Sequence, residues 1–340
     1  MRRYGSLAAG TQLWIERCIN TMAFAGSGLD FDALPFLIPS LYQAFWYRVA
    51  RERFAGILTR AEQIPFDAQA RLVFFSDLHR GNAGRADAFV RNRSLFLGAL
   101  EYYWERGYTY IEVGDGDELW KNPSFEQVRR AHGAVFDALH RFHEADRLFL
   151  LGGNHDGIPS EGRDGLPVHE GLLLRSRETE QEILVVHGHQ ADFKNDRLQP
   201  ALQWFARHIW RHLQDHGLRN TLPEVEDLPA ARRIVRGVAH LAFANQRAIE
   251  NRLKALARAM GRVIICGHTH RFAFAGQGDA PYFNTGSGIQ PGYITGLEIT
   301  QGQIALIRWK ETSVGGEGQR EVLAAPQPLA LYAPRTIAYA

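Results

Sequence analysis

The sequence predicts an α/β fold, because short apolar runs alternate with longer segments of helical periodicity between residues 71 and 266. Each run is four residues long and is followed by Gly, Asp, Asn or His within a few positions: Leu72–Phe75, Tyr110–Val113, Leu148–Leu151, Ile183–Val186 and Val263–Cys266. Runs of this kind are typical of strands that are buried on both faces. The polar residues just after them lie where open α/β sheets place their binding sites.

The connecting segments predict helices. Asp87–Arg106 and Ser124–Glu144 are predicted as crossover helices, and Phe36–Leu58 as an amphipathic helix ahead of the first strand. Tyr293–Thr300 and Gln303–Trp309 are predicted as closing strands joined by a turn. We therefore divide the chain into an N-terminal helical extension (residues 1–66), a central domain (67–310) and an irregular, proline-containing C-terminal tail (311–340).

Residues 195–260 interrupt this alternation with two helical stretches, 198–213 and 234–256. From Asn195 to Arg262 the sequence has 12 Lys and Arg against 6 Asp and Glu, and the first stretch adds Trp204 and Trp210 to an apolar stripe. Apolar and cationic surfaces together suit an amphiphilic phosphorylated ligand, so we predict that this insertion is a lid. The alternative is a stripe that packs on the core beneath solvated arginines.

Composition restricts the cellular setting. The net charge of the 340 residues is +2, and no uncharged apolar stretch reaches the ~18 residues of a spanning helix. Two cysteines cannot form a disulfide framework, and Glu16 and Arg17 interrupt any signal peptide. We expect a cytoplasmic protein with no obligate protein partner. The aromatic and basic residues of the Phe36–Leu58 helix leave peripheral membrane contact open.

Five strand ends carry the same class of side chain: Asp77-Leu78-His79, Gly114-Asp115, Gly153-Asn154-His155-Asp156, His187-Gly188-His189 and Gly267-His268-Thr269-His270. Turns do not explain five such motifs in succession. Asp77 and His79 alternate, so on an extended segment both side chains point the same way and can bind one ion. Carboxylate with imidazole suits manganese, iron or zinc better than magnesium or calcium.

The order and spacing of these motifs, over about residues 71–300, resemble those of the calcineurin-like metallophosphoesterases. The resemblance implies a four-layer α/β sandwich of two β-sheets flanked by helices, with two metal ions at the strand ends. It also implies a role for each motif residue: Asp77, His79 and His270 bind the first ion, Asn154, His187 and His268 the second, Asp115 bridges both, and His155 is the catalytic histidine, oriented by Asp156.

The string Gly114–Trp120 resembles the UDP-2,3-diacylglucosamine pyrophosphatase branch, as does Arg271 after the last motif. His155 and His189 stand where that branch tends to have Arg and Asp. Within the string, we interpret Asp117 and Glu118 as helix-start residues that complement the helix dipole. Arg80 is predicted as either a phosphate contact or part of an exposed loop.

The predicted function is hydrolysis of a phosphomonoester, phosphodiester or nucleotide pyrophosphate. Two divalent ions, manganese with iron or zinc as alternatives, outweigh the charge of Asp77, Asp115 and a bridging hydroxide, so the cavity attracts phosphate for in-line attack. The substrate is expected to be a phosphorylated small molecule or a lipid-linked one. In the second case the protein is a lipid-linked UDP-sugar pyrophosphatase with the insertion as lid.

Two further hypotheses are less favoured. The basic insertion is compatible with a nuclease, but the coiled coils or capping domain of nuclease relatives are missing from the sequence. A non-catalytic binding module on the same fold is disfavoured because no metal ligand of the motif set is lost.

Overall fold

The computed structural model describes residues 34–122, 124–156, 163–192, 207–208, 211, 229–312 and 318–333, with the side chains of the two long helices described from residues 44 and 245 onward. The chain divides into two compact units, residues 1–49 and 50–340. Most of the predicted helix 198–213, including Trp204 and Trp210, lies outside the described residues. Among the helices that are described, none is long and apolar enough to cross a bilayer.

The described helices are α1 (Leu34–Arg60), α2 (Arg93–Glu105), α3 (Phe125–Ala131), α4 (Gly133–Glu144) and α5 (Pro229–Met260). The described strands are β1 (Glu62–Phe66), β2 (Arg71–Phe75), β3 (Thr109–Glu112), β4 (Leu148–Leu151), β5 (Val168–His169), β6 (Leu172–Ser176), β7 (Glu182–Val185), β8 (Val263–Cys266), β9 (Tyr282–Asn284), β10 (Tyr293–Thr300), β11 (Gln303–Glu311) and β12 (Gly318–Pro328). The five apolar runs are therefore strands, with ends within one residue of the prediction.

The strands form two mixed β-sheets. The larger sheet has the order β12-β11-β10-β2-β3-β4-β5, and the smaller has the order β1-β6-β7-β8-β9. Phe74 and Ile111 of the larger sheet share one apolar core with Leu174, Val185 and Ile265 of the smaller sheet. Side chains of β2 and β3 on the opposite face pack with those of α2 and α4 in a second core, and α5 contacts β8 and β9. The predicted α/β architecture of two sheets flanked by helices is confirmed.

This topology brings the five motifs together. Strands β2, β3 and β4 are parallel neighbours, as are β7 and β8, so within each group the carboxyl ends lie at one edge. Backbone hydrogen bonds join the loops beyond these ends: Asp77 N donates to Gly114 O (3.0 Å) and Gly267 N donates to His187 O (2.9 Å). The amide of His268 donates to Oδ2 of Asp77 (2.9 Å), which connects the two sheets at this edge.

Helix α2 begins at Arg93 and not at Asp87, because a buried carboxylate organises the preceding loop. The oxygens of Asp87 accept hydrogen bonds from four backbone amides, those of Gly81, Ala83, Phe89 and Val90. Oδ2 of Asp87 also faces Nε2 of His132 at 2.8 Å. The predicted helix Ser124–Glu144 is two helices that meet at His132, and this histidine is buried.

Two segments outside the predicted central domain contribute edge strands. Residues 62–66, counted with the N-terminal extension, form β1, which pairs in parallel with β6. Residues 318–328, expected to be irregular, form β12, where an edge position tolerates Pro326 and Pro328 because one side of the strand needs no amide donor. The predicted turn at Gln301 and Gly302 is confirmed, with φ of 51° and 66° as in a two-residue hairpin.

Replacement of Asp87 by Ala should lower the free energy of unfolding by about 3 kcal/mol, because it leaves buried amides and His132 without their acceptor. Urea denaturation of the wild-type and variant proteins measures the difference. The matched control is Asp137→Ala, since the side chain of Asp137 is 70% exposed. A loss for Asp87→Ala no larger than that of the control would contradict this role.

Candidate metal centre

Five of the predicted ligands have left-handed backbone conformations. The φ angles are 51° for Asp77, 50° for His79, 50° for Asp115, 67° for His268 and 55° for His270. Such angles cost a non-glycine residue roughly 1–3 kcal/mol and persist where surrounding contacts fix them. Asp77 and His79 therefore reach one position through a sharp turn at each residue, and not through the extended alternation that the sequence suggested.

The first group comprises Asp77, His79 and His270. Nε2 of His270 lies 3.1 Å from Oδ1 of Asp77 and 3.1 Å from Nε2 of His79. Two ligands at right angles, each about 2.1 Å from one ion, are about 3.0 Å apart. Two imidazole lone pairs at that distance repel each other unless a proton or a metal ion lies between them. The spacing and chemistry of these atoms fit a divalent ion.

The second group comprises Asp115, His187 and His268. Nδ1 of His187 bonds with the carbonyl of Val113 (2.8 Å), which leaves Nε2 facing Oδ2 of Asp115 at 3.1 Å. Among the described residues, neither polar side-chain atom of Asn154 has a hydrogen-bond partner although both atoms are buried. An unpaired buried amide of this kind is explained when its oxygen binds an ion.

Asp115 lies between the two groups. Its Oδ2 is 3.1 Å from Nε2 of His187 in the second group and 3.9 Å from Nε2 of His79 in the first. Its Oδ1 accepts a hydrogen bond from the amide of His155 (2.8 Å), so the carboxylate cannot rotate freely. Gly114 allows the ring of His187 to lie close to Asp115, because a Cβ at residue 114 would be only 2.6 Å from that ring. The arrangement is the one that a bridging carboxylate requires.

The ionisation of these groups shows that the site favours positive charge. Burial acts to raise the pKa of Asp77, but the neighbouring charge of His270 lowers it to about 2. Burial likewise opposes ionisation of Asp115, whose pKa His187 and His155 hold well below its usual range. Burial acts to lower the pKa of His187, yet the Asp115 carboxylate raises it to about 10. When no metal ion is bound, protons therefore supply the positive charge that the carboxylates of Asp77 and Asp115 require.

Glu118, and not Asp156, faces the side chain of His155. Oε1 of Glu118 is 3.0 Å from Nδ1 of His155, and its Oε2 is 3.5 Å from Nδ1 of His79. Both oxygens of Asp156 are used elsewhere: they accept from the amides of Asp115 (2.9 Å), Asp117 (2.8 Å) and Gly153 (2.7 Å). The predicted orienting role of Asp156 is thus corrected to one of holding the loops, and Glu118, predicted as a helix-start residue, is buried and faces two imidazoles.

A buried ion-pair network supports these loops. Arg80 is fully buried and bonds to Glu112 (2.7 and 2.8 Å) and Asp117 (2.7 Å). Arg163 is also buried, and it lies 3.0 Å from Asp117 and 3.0 Å from Asp156. Arg80 is therefore neither part of an exposed loop nor a phosphate contact. Every charge in the network has a partner, as buried charges require.

Two more side chains adjoin the centre. The ring of His189 lies 5.4 Å from that of His187 and 6.4 Å from that of His268, and burial together with the charge of these histidines lowers its pKa well below the usual value. The indole of Trp120 stacks on His155 at 4.0 Å and its Nε1 donates to the carbonyl of Asn154 (2.6 Å). Sequence reasoning missed Trp120 and Glu118, although both belong to the Gly114–Trp120 string.

A sequence model described as calcineurin-like phosphoesterase matches residues 70–272. No curated protein sequence matches the chain. Similar solved structures include vacuolar protein sorting 29 from Cryptosporidium parvum, with 12% identity, coverage of 75% of this chain and 98% of that chain, and a TM-score of 0.34. Another is a cold-active protein-tyrosine phosphatase from a psychrophilic Shewanella species, with 14% identity, coverage of 78% and 83%, and a TM-score of 0.38. The branch resemblance suggested by the Gly114–Trp120 string is not confirmed by these comparisons.

Metal binding should release at least about one proton at pH 7, because the raised pKa keeps His187 protonated in the metal-free protein and its Nε2 must lose that proton to bind an ion. Affinity should accordingly rise with pH. Calorimetric titration with Mn²⁺ in buffers of different ionisation enthalpy measures the release. Asp137→Asn is the control and should behave as wild type, whereas an observed binding heat independent of the buffer would contradict the prediction.

Proposed function

Because the chain belongs to the calcineurin-like phosphoesterase family, and is therefore a hydrolase of phosphate esters, we propose that it works with two divalent metal ions. The observation that carries this proposal is the position of Asp115, whose Oδ2 faces both His79 and His187. The substrates proposed are phosphomonoesters, phosphodiesters or nucleotide pyrophosphates. The mixture of imidazole and carboxylate ligands supports manganese, with iron or zinc as alternatives.

The residues would divide between the ions as the motifs predict. Asp77, His79 and His270 would hold one ion, and Asn154, His187 and His268 the other, with Asp115 shared. Ions bound there would polarise the phosphoryl group of the substrate and lower the pKa of a bound water, the nucleophile. Nε2 of His268 also faces Oδ2 of Asp192 at 3.2 Å, a contact that would fix the orientation of this ring.

His155 supplies the proton for the leaving oxygen in this proposal. Its ring lies 4.7 Å from that of His79, beside the first group, and its side chain is 22% exposed. Burial acts to lower the pKa of His155, but the carboxylates of Glu118 and Asp115 raise it above the usual value. With Nδ1 engaged by Glu118, Nε2 is the nitrogen available to substrate, and the raised pKa favours the protonated ring that can donate from it.

A lipid-linked substrate, such as a lipid-linked UDP-sugar pyrophosphate, is the second candidate. Phe272 is 52% exposed and follows His270 by two positions, with the cationic Arg271 between them. An exposed apolar ring next to a cation at the edge of the centre suits an amphiphilic phosphate. Comparing hydrolysis of a short-chain and a long-chain acyl pyrophosphate in wild type and Phe272→Ser tests this candidate.

Chelation should abolish hydrolysis of a nitrophenyl phosphate ester, and added Mn²⁺ should restore it, because both the nucleophile and the charge of the site depend on the ions. Elemental analysis should find two ions per chain. Asp115→Asn should reduce activity more than His79→Ala or His187→Ala does, since it removes a ligand of both ions. Full activity in protein free of metal would exclude the proposal.

His155→Ala should lower kcat by about 10²–10⁴-fold for an alkyl ester while leaving two ions bound, as expected for loss of a general acid. The loss should be smaller for a nitrophenyl ester, which needs little protonation. Glu118→Gln should follow the same pattern to a lesser degree, because it removes the charge that raises the pKa of His155. Equal losses for both esters would assign His155 to phosphoryl binding instead.

A further inference from the structure

One short turn carries two of the side chains that contact the ring of His155. We call residues 118–122 the 118–122 turn. Glu118 faces Nδ1 of His155, and the indole of Trp120 stacks on the ring with an interplanar angle of 20°. The amide of Leu119 donates to the carbonyl of His155 (3.0 Å), and Asn122 closes the turn with two hydrogen bonds to the carbonyl of Glu118 (3.2 and 2.9 Å). The position of the turn thus fixes the position of the imidazole.

Two arginines of the insertion bind the carbonyl groups of this turn. Nε of Arg207 lies 3.3 Å from the carbonyl oxygen of Trp120, and Nη2 of Arg207 lies 3.4 Å from that of Leu119. Nη1 of Arg211 lies 2.9 Å from the carbonyl oxygen of Lys121. Three consecutive carbonyls therefore accept hydrogen bonds from two guanidinium groups. Both arginines are half-buried.

These contacts are strong enough to restrain a turn. A turn that does not continue into a helix leaves its carbonyls to be satisfied from outside. Hydrogen bonds from a charged donor are about twice as strong as neutral ones, and the planar guanidinium of Arg207 can bond two neighbouring carbonyls at once. A displacement of about 1 Å in a catalytic group can reduce a rate about 10²-fold. Small movements of this turn would therefore affect catalysis.

We propose that Arg207 and Arg211 form an arginine clamp, which positions His155 by holding the 118–122 turn against it. The clamp rests on the proposed function, because it acts through the proton that His155 donates. The arginine clamp gives the insertion a role in turnover that is distinct from binding the substrate. Without the hydrogen bonds from Arg207 and Arg211, Glu118 and Trp120 lose part of their support and His155 loses its orientation.

The experiment compares the full-length double variant Arg207→Gln plus Arg211→Gln with wild type and with Arg258→Gln. Arg258 is an exposed arginine of the same insertion and is the matched control. With Mn²⁺ bound, the double variant should lower kcat for an alkyl phosphate ester about 10-fold, a part of the full contribution of a general acid. The KM and the metal content should not change, and a nitrophenyl ester should lose about 2-fold or less.

Two readouts separate a positioning role from a general loss of structure. In the His155→Ala background the two arginine substitutions should cause no further loss, because they act through the missing ring. Hydrogen exchange should become faster at the amides of Leu119 and Asn122 in the double variant, with or without metal, and remain unchanged in Arg258→Gln. If the double variant does not fold, Arg211→Gln alone should show a smaller change of the same kind.

Unchanged exchange in the 118–122 turn, or an additive loss in the His155→Ala background, would overturn the clamp. The proposed function is tested separately by the activity of the wild-type protein. If wild type with Mn²⁺ hydrolysed no phosphate ester, the proposed function would fail, and the exchange measurement would still decide whether the arginines hold the turn.

Discussion

The candidate centre depends on the hydrogen bonds and the ion pair made by the buried carboxylate of Asp156. It accepts hydrogen bonds from the amides of Asp115 and Gly153 and forms an ion pair with Arg163, which ties the loop after β3 to the loop after β4. A buried carboxylate with these partners keeps the amides of Asp115 and Gly153 within hydrogen-bonding distance of its oxygens. The backbone of Asp115 is consequently held in one position. The same contacts help to maintain the left-handed conformations of the neighbouring predicted ligands.

On this framework, the ligand atoms converge more closely than their charges would allow without a cation. The Nε2 atoms of His79 and His270 are 3.1 Å apart, and Oδ1 of Asp77 lies 3.1 Å from Nε2 of His270. In the second group the Asp115 carboxylate raises the pKa of His187 to about 10, so a proton on His187 balances the carboxylate until a metal ion replaces it.

One side chain also connects the first candidate metal group with His155. The two carboxylate oxygens of Glu118 face different imidazoles, that of His79 in the first metal group and that of His155 beside it. The oxygen that faces His155 holds that ring in place, and the other would orient His79 as an ion ligand. The 118–122 turn that carries Glu118 contacts Arg207 and Arg211, so these two arginines, His155 and the first candidate metal group form one connected set.

The sequence by itself determined the five buried strands, the residues that end them and the grouping of aspartates and histidines, because buried runs and ligand chemistry are local properties. It did not determine the partner of His155, since Asp156 and Glu118 are both carboxylates near a motif; in the structure three backbone amides engage Asp156, and Glu118 faces the ring. Nor could it reveal β1 and β12, whose polar, proline-containing segments become strands only because existing sheet edges accept them. The contact of Arg207 with Trp120 joins residues 87 positions apart. Only tertiary packing decides such a contact, because hydrogen bonds between distant segments leave no periodic signal in the chain.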